Sequence, residues 1–195
     1  MAHLVADILA SVDAFAEASA TLAQALMDST NDPAEAIRLL IPLARWMPPG
    51  IPGSGPLHDT AEVAASAFSS NLRAAACAAL GRATAIYQPI SYQDAQSVRL
   101  LVCGVLDDEA TRVADAGLDE TFLALRTLKW AVALDLASKG ATLAVLVEVE
   151  TQVSMPSVTA AWTLYQDTSR EPEIVASAAP AHPMFLPLDF AALSQ

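Results

Sequence analysis

Leu4, Ile8, Val12, Phe15, Leu22 and Leu26 recur at steps of three, four and seven, which lays them on one stripe of a helix over about 2–27. Asp7, Asp13 and Glu17 fall off that stripe. Ser29-Thr30-Asn31 breaks the pattern, and Asp32-Pro33-Ala34-Glu35 starts a new one, with Asp32 as N-cap, Pro33 at the first helical position and Glu35 placed to reach back. That second helix spans about 33–46, and Pro42 inside it predicts a kink or an early stop. The stretch 47–58, MPPGIPGSGPLH, continues neither helix nor central strand and reads as a linker or surface loop. The expected division is therefore a helical hairpin over 1–46, the loop over 47–58 and a helical domain over 59–195.

Beyond the loop, Asp59-Thr60-Ala61-Glu62 has the capping-box pattern and opens a long helix to about Tyr87. Ser91-Tyr92-Gln93-Asp94 caps another that runs to about Asp115, and the short connection predicts an antiparallel hairpin. That hairpin puts Cys77 and Cys103 at about the same height, as two reduced thiols or as one bridge. Gly117 ends it, and from Asp119-Glu120 a further helix holds Leu118, Phe122, Leu125, Val132 and Leu136 on one face, with Trp130 near it. Lys139-Gly140 reads as a helix end. Over 141–152 the alternating Val145, Val147 and Val149 suit a strand, while the surrounding Leu and Glu suit a helix; helix is the expectation. A helix through Trp162 to Tyr165, a turn over 166–169 and a short helix over 170–176 then form a helix–turn–helix, followed by an extended, proline-containing tail. The predicted class is mainly α, an antiparallel helical bundle.

Composition narrows the function classes. Ten basic residues face twenty-two acidic ones, giving a formal charge of −12. Nucleic-acid affinity comes largely from Lys and Arg neutralising phosphates, so direct DNA or RNA binding is not expected. No apolar window reaches membrane-spanning length, and the start lacks the basic region of a signal peptide, so cytosolic synthesis is the expectation. His3, His58 and His182 are far apart and none has metal-ligand spacing; there is no glycine-rich phosphate loop and no nucleophile elbow. No enzyme, cofactor or metal is expected. Asp107-Asp108-Glu109 reads as the solvated end of a helix, and His182 as a ring that ties down an irregular loop.

The most distinctive stretch is 155–190. Trp162, Tyr165, Ile174, Val175 and Phe185 read as a packing set that folds the tail onto the helical body, and burial of Trp162 predicts a loss of about 3–5 kcal/mol on truncation to Ala. Trp162-Thr-Leu-Tyr165, Asp167 to Arg170, Glu173-Ile174-Val175-Ala176 and His182-Pro183-Met184-Phe185 with Pro187 resemble the C-terminal signature of the Mu-like phage DNA circularisation protein family. In that family a helix ending in Leu-Tyr is followed by a Gly-Asp turn, a Glu-Ile-Val/Ile helix, an Arg-Asn pair and His-Pro-Gly-Phe. Ser91-Tyr92-Gln93-Asp94-Ala95 and the helix from Phe122 to Asp135 are similar to upstream family segments, so the resemblance runs from about Asn71 to the end. This chain departs from the family with Gln166 and Met184 in place of Gly, and Ser177-Ala178 in place of Arg-Asn.

The resemblance implies a structural component of a contractile phage or phage-like tail near the tube end and baseplate, made in the host cytoplasm and carried in the virion tail. It would act through contacts with other tail and baseplate proteins, within a ring in the assembled particle. The docking or packing residues it implies are Trp162, Tyr165, Glu173, Ile174, His182, Pro183 and Phe185. The family's β-rich N-terminal module has no counterpart here, which suggests a separated C-terminal domain. The competing reading is a host helical binding or regulatory domain without catalytic activity.

Overall fold

Asp32 accepts the Ala34 N–H (2.9 Å) and opens helix α1, Pro33–Ala44, as its sequence predicts. Glu35 does not reach back; it pairs with Arg38 at 3.4 Å. Pro42 does not stop the helix, because the donor it lacks would have served the carbonyl of Arg38, an exposed position where water can substitute. The computed structural model describes residues 32–48, 50 and 53–194, together with Glu17, Thr21, Gln24 and Asp28. Of the helix expected over 2–27, Glu17, Thr21 and Gln24 are described, each helical, and the rest lies outside the described residues.

Helix α2, Pro56–Ile86, begins three residues before the expected capping box and so takes the end of the expected 47–58 loop. Gly55 adopts φ +114° and Pro56 occupies the first helical position, where its missing N–H costs nothing. Asp59 therefore sits inside the first turn and complements the helix dipole instead of capping. Helix α3, Tyr92–Asp115, starts as read: Ser91 Oγ accepts the Asp94 N–H (3.1 Å) and Asp94 accepts the Ile90 N–H (3.0 Å). Gly117, at φ +72°, turns the chain into α4, Asp119–Gly140. Among the described residues the protein is mainly helical, a helical bundle with one small sheet.

Two compact units result: Met1–Gln88 with Val98–Leu136, and Pro89–Ser97 with Ala137–Gln195. In the first, Leu40, Leu80, Val102, Val105, Leu106 and Leu136 are fully buried in one core. Ala, Cys and Gly on α2 allow close helix contact; a Cβ at Gly81 would lie 2.5 Å from Leu128 Cδ1. Leu125, Val132 and Leu136 of α4 face this core, but Leu118 is half exposed and Trp130 is 73% exposed. Trp130 lies five residues past Leu125, about 140° around the helix, and so points away from the stripe.

The second unit corrects the reading of 141–152. Residues Leu146–Glu150 form strand β1, antiparallel to β2, Asp189–Leu193, with Leu146 opposite Leu193 and Glu150 opposite Asp189. The alternating valines were the truer signal. Their partner strand lies some forty residues on, where no local pattern announces it. The side-chain amide of Gln93 acts as a further strand residue, donating to the Leu146 carbonyl (3.0 Å) and accepting its N–H (2.8 Å). Helix α5, Ser157–Tyr165, a 3₁₀ turn, Thr168–Arg170, and helix α6, Glu171–Ala178, realise the helix–turn–helix. Ala160, Ala161, Ile174, Leu186, Phe190 and Ala192 form this unit's core.

Candidate functional site

The family-like segment is held together by its own side chains. Gln166 ends α5 in the left-handed conformation (φ +57°), and Asp167 then caps the 3₁₀ turn by accepting the Ser169 N–H at 2.9 Å. That geometry carries Arg170 back over α5, where its guanidinium lies 3.8 Å from the Tyr165 ring centroid. Glu173 Oε2 fixes the guanidinium there, at 2.9 Å from Nε and 2.8 Å from Nη2. Tyr165 donates its hydroxyl to the Leu193 carbonyl (2.8 Å), tying α5 to β2, and its burial pushes the phenol pKa up. Asp167 is held below its ordinary value by its hydrogen bonds to Ser169.

His182, Pro183 and Phe185 build a tight turn. His182 Nδ1 accepts the Met184 N–H (3.1 Å), and the His182 carbonyl accepts the Phe185 N–H (3.0 Å). The Pro183 carbonyl accepts the Ser157 N–H (2.8 Å) and the Leu186 N–H donates to Met155 (3.1 Å), so the turn is strapped beside the start of α5. His182 thus does the loop-fixing work read from its sequence. Ile174 is fully buried. Tyr165, Glu173, Ile174, His182 and Pro183 serve the fold of the second unit.

Trp162 and Phe185 differ. They are 59% and 70% exposed, which overturns the expectation that they pack the tail down and that Trp162 is a stability anchor. The buried side of α5 carries Ser157, Ala160 and Ala161, and Trp162 follows on the opposite face with Val158, also exposed, one turn earlier. Ala160 and Ala161 admit close packing that an indole would block. Met184 is exposed beside Phe185, so apolar side chains on α5 and on the 182–186 turn face outward.

Sequence reading missed two arrangements. Ser177, one of the departures from the family, donates its hydroxyl to the Ala191 carbonyl (2.8 Å) and anchors α6 to β2. Glu109, grouped with solvated acids, is 1% exposed: α3 runs on past it, and its spacing from Val102, Val105, Leu106 and Val113 places it on the buried stripe. Its Oε2 accepts from Arg73 Nε and from Arg112 Nε, each at 2.8 Å. Arg73 also reaches the Trp46 carbonyl at 3.3 Å. The three-residue spacing from Glu109 to Arg112 was the available signal. A cavity of about 470 Å³ lies beside these arginines, lined also by Met47, Val63 and Ser69, but Arg73 is committed to Glu109.

Cys77 and Cys103 are free thiols. Burial pushes the Cys77 thiol up to about 12 and raises Cys103 less far. Iodoacetamide at mildly alkaline pH is expected to alkylate half-buried Cys103 and to spare Cys77 until the chain is denatured. Equal rates by intact mass would contradict that order.

Gln166 supplies another test. A left-handed non-glycine residue costs roughly 1–2 kcal/mol, and glycine's extra unfolded-state entropy offsets roughly 0.5–1 of that. Gln166→Gly is expected to stabilise the chain by about 0.5–1 kcal/mol in urea denaturation, and Gln166→Ala to give no gain. Among the described residues no group of His, Cys, Asp and Glu could hold a metal ion, and no helix is long and apolar enough to cross a membrane. The chain matches no known family model and has no significant match among curated proteins.

Proposed function

We propose that this chain is a structural component of a contractile phage or phage-like tail, near the tube end and baseplate, acting through protein–protein contacts. The observation that carries the proposal is that the segment with the family-like motifs turns its large aromatics outward, with Trp162 and Phe185 exposed on a frame that Tyr165, Ile174, His182 and Pro183 hold in place. Such aromatics supply binding area at low conformational cost when a partner covers them. The left-handed Gln166 supports the resemblance on physical grounds, because the family carries glycine at this position. Met184 has no such geometry, so the family's second glycine finds no backbone reason here.

The charge of −12 argues against direct contact with DNA, whatever the family's historical name suggests. Mass spectrometry of particles purified from the host that encodes this chain is expected to find it at a fixed ratio to the other tail proteins, and its absence would refute the proposal. A gel shift at physiological salt is expected to show no DNA binding, and tight binding would overturn the charge argument.

A further inference from the structure

The register of the small sheet fixes which backbone groups of each strand face outward. Ser194 donates to the Val145 carbonyl and Thr151 to the Leu188 carbonyl, both at 2.7 Å, so 145, 147, 149 and 151 turn their N–H and C=O groups toward β2. Residues 146, 148 and 150 turn theirs away. On the outer side of β2 the Ala191 and Leu193 carbonyls are taken by Ser177 and Tyr165. On the outer side of β1, Gln93 takes both groups of Leu146. Among the described residues nothing pairs with the outward N–H and C=O of Glu148 and Glu150, and both residues are exposed.

We infer that this open edge of β1 receives an added strand from a partner protein in which Lys or Arg alternates with apolar residues. An incoming residue opposite Glu148 or Glu150 would place its side chain on the same face as those carboxylates, a face that also carries Asp189. The residue between them would fall on the face of Val147, which is 48% exposed, and Val149, which packs against the buried Phe190. Basic–apolar–basic is therefore the pattern that fits. A second copy of β1 does not fit, since antiparallel self-pairing sets glutamates against glutamates, the kind of charge that guards a sheet edge against its own kind. Main-chain hydrogen bonds would supply affinity and the alternating side chains selectivity. The inference stands on register and charge and does not depend on the tail reading.

Amide hydrogen exchange of the full chain, alone and with a short peptide alternating Lys and Val, tests it. The peptide is expected to slow exchange at Glu148 and Glu150 by about fivefold or more, the equivalent of one net hydrogen bond. A peptide of the same charge but N-methylated along the pairing edge is expected to give no protection. The double variant Glu148→Lys/Glu150→Lys, altered only at exposed positions, is expected to lose the Lys/Val peptide and to accept one alternating Glu and Val. Equal binding of the N-methylated peptide, unprotected amides at 148 and 150, or protection in the free protein that grows with concentration would each overturn the inference.

Discussion

Replacing Glu109 with Ala is expected to lower stability by about 3–5 kcal/mol in urea denaturation, because it leaves a buried guanidinium without its counter-charge. Arg73 is 7% exposed, and Glu109 is its carboxylate partner. The same guanidinium holds the Trp46 carbonyl just beyond α1, so its displacement would loosen the junction of α1 with α2 as well. Arg112→Ala, which leaves Glu109 still paired with Arg73, is expected to cost only about 1–2 kcal/mol. Replacing all three by apolar residues of similar size is expected to come within about 1 kcal/mol of wild type or above it, since the desolvation of all three charges is then removed together. A loss below about 1 kcal/mol for Glu109→Ala alone would show that water reaches the site and that Glu109 is not buried as described.

Ile174→Ala is expected to cost about 2–5 kcal/mol, while Trp162→Ala, twelve residues earlier in the same motif, is expected to cost about 1 kcal/mol or less. Ile174 has no exposed surface and lies in the core with Ala160, Ala161, Leu186 and Phe190. Trp162 keeps 59% of its surface. Because the chain divides into two compact units, native-state hydrogen exchange at amides of α5 and α6 reads the effect where it occurs. Equal losses for the two variants would mean that the indole packs into the core after all, and the outward-facing surface would vanish with that result.

What could be read in advance follows the range of the interactions involved. Asp32 and the Ser91–Asp94 start were legible because a cap is settled within a few residues of itself, and Asp32 and Ser91 each accept a backbone N–H of the following turn; the turn over 166–169 was legible likewise, with Asp167 as its cap. His182 was legible for the same reason. The 146–150 strand was legible only as one of two readings, since what decides it, pairing with 189–193 and with Gln93, lies outside a local window. Trp162 was misjudged because a large apolar residue on a helix implies burial only if its face is the buried one, and the small residues Ala160 and Ala161 mark that face instead. Glu109 was misjudged in the opposite sense: two exposed neighbours, Asp107 and Asp108, disguised a position that helical spacing assigns to the core.

In the tail role proposed above, the 155–190 segment would present Trp162 and Phe185 to a neighbouring protein. Hydroxyl-radical footprinting of the isolated chain and of purified particles measures this at the two residues themselves. Both rings are expected to oxidise strongly in the isolated protein and to be markedly protected in the particle, with Trp130 on α4 as an exposed internal reference. Unchanged oxidation of Trp162 and Phe185 between the two samples, or particles that lack the chain, would contradict it.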